Sequence, residues 1–107
     1  MAAARIERIL IFYQGPKLNA EDINRIVGIF ENRFDLDTKG AVLVTYDVTR
    51  MAAENVKDFA FAKVAALEGG ELAAGALKRT VVYPVDGLGA VALVWRDAIP
   101  APKQRKA

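Results

Sequence analysis

The chain has no cysteine, no histidine and no serine among its 107 residues. Without cysteine there is no disulfide framework, no thiolate nucleophile and no thiolate ligand for zinc. The missing histidine removes the commonest general base and the commonest metal-binding imidazole. The missing serine removes the usual hydroxyl nucleophile. Chemistry is left to Asp, Glu, Lys, Tyr and four threonines, Thr38, Thr45, Thr49 and Thr80. A non-enzymatic chain with no cofactor and no metal centre is expected; a carboxylate- or lysine-based enzyme is the alternative.

Long apolar runs are also missing. None approaches the ~20 residues that span a bilayer, so no membrane insertion is expected. Met1-Ala2-Ala3-Ala4-Arg5 lacks the basic region and apolar stretch of a secretory signal. With no cysteine to suggest export, the expected location is cytoplasmic. Charge of either sign is nearly balanced, with 15 Lys and Arg against 13 Asp and Glu. Lys103, Arg105 and Lys106 fall in the last five residues, which leaves 12 basic side chains against those 13 acids. A near-neutral body offers little to neutralise phosphates, so no nucleic-acid partner is expected. No G-x-G-x-x-G or G-x-x-x-x-G-K-[ST] loop occurs, and Trp95 and the tyrosines do not interleave with basic residues.

What is present suffices for a core, since 53% of the residues are hydrophobic. One α/β domain over residues 1–99 and a disordered basic tail over 100–107 are expected. Arg5 to Tyr13 reads as a strand whose unbroken run Ile9-Leu10-Ile11-Phe12-Tyr13 implies burial on both faces. Asn19 and Asp22 form the two halves of a capping box, with Leu18 and Ile23 as a hydrophobic staple. Ile23, Ile26, Val27, Phe30 and Phe34 then lie on one helical stripe. Gly28 interrupts that helix, and close packing on the sheet would account for it. Ala41 to Tyr46 reads as a second buried strand. Thr49 is the expected N-cap of a second helix that runs through Val56, Ala60 and Val64 and closes at Gly69-Gly70.

Thr80 to Tyr83 reads as a third strand that ends at Pro84 or lies at a sheet edge. Beyond it, Leu88, Val91, Trp95 and Ile99 share a helical stripe, and the alanines between them favour a helix. Asp86-Gly87 is equally a hairpin signal, which would make 88–95 a strand. The expected fold is therefore a small βαβαβα sandwich with a mainly parallel sheet, the hairpin being its alternative.

In such a sheet the carboxyl ends of the parallel strands share one rim, where ligands bind. That rim would gather Gln14, Asp47, Thr49, Arg50 and Asp86. Asp47 and Asp86 could together hold a divalent cation, as paired carboxylates do; turn formation and helix capping explain them more simply. Phe61 stands on the charged side of the second helix, either as a contact for a partner or as a ring covered by a neighbouring loop.

The stretch Val42-Leu43-Val44-Thr45-Tyr46-Asp47-Val48-Thr49, leading into a helix, resembles the STAS domain of sulfate-transporter tails and SpoIIAA-like anti-sigma-factor antagonists. Lys78 to Pro84 followed by an apolar segment is similar to that family's later strand and helix. The resemblance implies a regulatory module that binds a protein or a small ligand. It does not extend to the family's phospho-acceptor turn, because Arg50-Met51-Ala52-Ala53 follows Thr49 and no serine is available. A protein partner is expected at the rim and around Phe61, with a homo-oligomer as a further possibility.

Overall fold

The computed structural model describes residues 4–100. The basic tail with Lys103, Arg105 and Lys106 lies outside them. Strand β1 (Ala4–Tyr13) leads through a short loop to helix α1 (Ala20–Arg33), then to β2 (Leu36–Asp37) and β3 (Val42–Asp47). Helix α2 (Ala53–Leu67) and a 3-10 turn (Ala76–Arg79) precede β4 (Thr80–Val85) and β5 (Gly89–Trp95).

The helix expected over the last apolar segment is a strand. β5 pairs antiparallel with β1 on one side and with β4 on the other. β1 carries β5 along one edge, and along its other edge carries β2 at Ala4 and Arg5, then β3 from Arg8 to Tyr13, both parallel. The sheet is thus mixed rather than mainly parallel, with β1 and β5 in its middle. β3, read from its apolar run as a buried strand, is an edge strand with Val42 48% exposed.

The physical reason for β5 lies in its side chains, which alternate in size. Val91, Leu93 and Trp95 pack with Ile9, Ile11 and the α1 residues Ile26, Phe30 and Phe34. Ala90, Ala92 and Val94 pack on the opposite side, with Leu10, Phe12 and the α2 residues Val56, Ala60 and Val64. A strand covered by a helix on each face needs no polar residue, so it lacks the alternation that marks half-exposed strands. Trp95, Phe12 and Phe34 are among the largest fully buried side chains. Burial of an aromatic such as Phe contributes roughly 1.5–3 kcal/mol.

The turn between β4 and β5 uses Gly87 in the left-handed region (φ 76°), and Leu88 donates its amide to the Val85 carbonyl. Gly89 begins β5 at φ 142°, where a Cβ would strike the carbonyl oxygen of Phe12. Pro84 lies inside β4, which tolerates it as the other edge strand.

The capping box of α1 forms as read: Asp22 N–H donates to Asn19 Oδ1 at 2.8 Å, and Asn19 N–H to Asp22 Oδ2 at 3.2 Å. Gly28 has no atom within 4 Å of where a Cβ would stand, so close packing does not account for it. No helix among the described residues is long and apolar enough to cross a membrane.

Candidate functional site

β1, β3 and β4 end, and β5 begins, at one rim of the sheet. The loops there are tied to one another by short polar contacts. Val48 N–H donates to the Tyr13 carbonyl at 2.8 Å, carrying the β1–β3 pairing one step past Asp47. Gln14 N–H donates to the Leu88 carbonyl at 2.7 Å, and its side-chain amide donates to the Met51 carbonyl at 3.1 Å. Gln14 therefore touches both neighbouring loops.

Thr49 does not cap α2. The helix begins four residues later, and Ala52 at its N-cap supplies no side-chain hydrogen bond. The Thr49 hydroxyl instead donates to Asp47 Oδ1 at 2.6 Å, and the Thr49 backbone N–H donates to the same oxygen at 2.9 Å. Gly15 N–H donates to that hydroxyl oxygen at 2.9 Å. Asp47 and Thr49 thus clip the β3–α2 loop to the β1–α1 loop. The Thr49 hydroxyl, then its amide, hold the Asp47 carboxyl below the usual carboxylate range, with a smaller contribution from the Arg50 charge.

Two clefts flank the β4–β5 turn, one on each side of the sheet. The larger, about 570 Å³, lies between that turn and the first two turns of α2. Val56, Val82, Pro84 and Ala90 form its apolar lining, and Gln14, Lys57 and Asp86 are its polar side chains. Ala53, in the uncapped first turn of α2, stands at the wall. The smaller cleft, about 370 Å³, lies on the α1 side among Lys17, Asp22, Arg25 and Ile29. Gln14 and the segment 85–88 line both clefts.

Of the residues expected at the rim, the structure brings Gln14 and Asp86 to the same clefts. Asp47, Thr49 and Arg50 line neither; the first two are consumed by the loop clip. Phe61, on α2, is half-buried and lines neither cleft. Among the described residues no three or more acidic side chains gather where a metal ion could be held. Lys57, Val56, Val82 and Ala90 were not singled out from the sequence. Val56 follows from the apolar spacing of α2 and Lys57 adjoins it, whereas the Val82–Ala90 wall exists only once 89–95 is a strand beside β4. Comparison with protein-family models, curated proteins and solved structures gave no match.

Proposed function

We propose that the chain is a non-enzymatic binding domain of the STAS-like regulatory kind, and that its ligand is a small molecule with an apolar body and one anionic group. The larger cleft carries this reading. Its volume of about 570 Å³ suits a small-molecule site, and it joins an apolar lining to a few polar groups at the rim where open α/β sheets bind ligands. The apolar body rests on Val56, Val82 and Ala90. The anion meets Lys57 and the open first turn of α2, while Gln14 offers a hydrogen bond from the adjacent loop. Among the described residues Lys57 and Asp86 are the only titratable side chains in the cleft, a poor complement for acid–base or nucleophilic chemistry.

The test is a ligand-observed NMR screen of short-chain aliphatic carboxylates against the whole chain. Ala53→Trp, at an exposed wall position, fills the cleft without disturbing the core and abolishes binding. Lys57→Gln weakens it about tenfold, the loss of one charge-assisted contact. Carboxylates that bind equally well to Ala53→Trp would place the site elsewhere and defeat the proposal, as would a screen with no binder.

A further inference from the structure

We propose that the outer edge of β3, with the flank of α2 beside it, docks an extended acidic segment of a partner protein as an additional strand of the sheet. This surface is separate from the rim clefts and does not depend on the reading given to them.

The first observation is an undefended edge. Among the described residues β3 pairs only with β1, so its outward N–H and C=O groups face no strand. Edge strands are ordinarily protected by proline or charge. β4, at the opposite edge, carries Pro84. β3 has neither proline nor charge from Val42 to Tyr46, and Val42 stands 48% exposed.

The second is the side-chain row on the α2 side. Val42, Val44 and Tyr46 are in register with Arg8, Leu10 and Phe12, and so share their face. α2 lies over β4, β5 and β1, which leaves this row only partly covered. Tyr46 stacks on Phe12 at 5.1 Å, and Phe59 meets both rings edge-on. The row therefore ends in a firm aromatic corner.

The third is charge. Arg8 sits between Val42 and Val94 on that face, and its Nε is buried with no hydrogen-bond partner. Lys63 lies over the Tyr46 and Phe59 rings at 5.4 and 5.1 Å. Neither forms an ion pair among the described residues. Arg8 is only half-buried, so a carboxylate from an added strand meets its guanidinium at the terminal nitrogens rather than at Nε. Carboxylates at alternate positions of that strand would face Arg8 and Lys63, with apolar residues between them.

The same charges disfavour a second copy as the occupant. Antiparallel pairing of β3 with itself about a two-fold axis keeps both α2 flanks on one side. Arg8 and Lys63 of each copy then face those of the other. The only acid of β3, Asp47, lies in register with Tyr13, on the opposite face, and is held by Thr49.

Fluorescence anisotropy of the whole chain with a labelled Thr-Val-Glu-Val-Glu-Val-Thr peptide tests the proposal. The expected result is saturable binding, with slowed amide exchange at residues 42–46. Binding drops at least about tenfold when Glu is replaced by Lys, when alternate peptide amides are N-methylated, or in the variant Arg8→Met. Arg8→Met removes a group that makes no hydrogen bond, and circular dichroism checks its fold. Absence of binding overturns the proposal, and so does indifference to peptide charge or to N-methylation. Sedimentation of the free chain as a dimer that the acidic peptide does not dissociate assigns the edge to a second copy and overturns it as well.

Discussion

At the scale of single residues, Thr49 shows how a side chain can carry one local signal and serve another purpose. A threonine shortly before a helix reads as a cap. Its hydroxyl instead joins Asp47 to Gly15, 34 residues away in the chain. The Asn19–Asp22 box was legible because all its partners lie within four residues. The Thr49 clip was not, because its third member belongs to another loop. Thr49→Val removes the largest cause of the lowered Asp47 pKa while leaving the backbone N–H contact. Carbon-detected NMR titration should then find Asp47 closer to its ordinary value, and amide exchange at Gly15 should quicken. The sign of the stability effect follows. A depressed carboxylate pKa stabilises the fold above about pH 4 and ceases to do so as pH falls through the lowered value. The stability gap between the wild type and Thr49→Val is therefore full near neutrality and closes in acid. An unchanged Asp47 titration in the variant would mean that the hydroxyl does not hold the carboxyl.

At the scale of elements, the two central strands and the edge strand posed different problems. β1 holds a helical stripe, Ile6-Ile9-Leu10-Tyr13, but its β-branched and aromatic residues and the Gly15-Pro16 stop decide for a strand. β5 has a stripe too, since a segment that is apolar throughout satisfies any period, and its alanines favour the helix. Its usable signal was size: alanine at 90 and 92 toward α2, and Val91, Leu93 and Trp95 toward α1. β3 is apolar enough to be read as central yet lies at an edge. The surface proposed for an acidic strand is thus an edge with the composition of a buried strand.

Ala92 tests how closely α2 packs on β5. It is fully buried between Leu10 and Val82, under α2. Ala92→Leu should therefore overpack this face and cost about 1–3 kcal/mol in urea denaturation. Ala98→Leu, at an exposed position, should be close to neutral. Equal stability of both variants would contradict the packing of α2 on β5.

For the whole molecule, the end opposite the rim carries a different kind of lock. Around Glu7 the register of β1 against β5 shifts, so that Ile6 faces Trp95 and Arg8 faces Val94. Glu7 at this bulge accepts from Ala73 N–H at 3.0 Å and lies 3.7 Å from the Arg79 guanidinium. Arg79 in turn donates to the carbonyls of Trp95 at 3.0 Å and Ala74 at 3.3 Å. One arginine thereby joins the start of β1, the end of β5 and the segment that returns the chain from α2 to β4. No motif announces it, because its five members, Glu7, Ala73, Ala74, Arg79 and Trp95, come from three separate stretches of sequence. Both side chains are mostly buried, at 21% and 13% exposed, so neither is easily hydrated alone. Arg79→Met keeps the aliphatic stem but leaves the Glu7 carboxylate without its cation and two carbonyls without their donor. A loss of about 2–3 kcal/mol is expected in urea denaturation, below the range for fully buried pairs because some water remains. Glu7→Gln in the same chain should recover part of it, since a neutral amide is cheaper to leave unpaired. The rim stands at the other end of the strands, so the folded variant should retain wild-type affinity for its cleft ligand. Loss of that affinity in a fully folded Arg79→Met chain would mean that the two ends of the sheet are coupled rather than independently held.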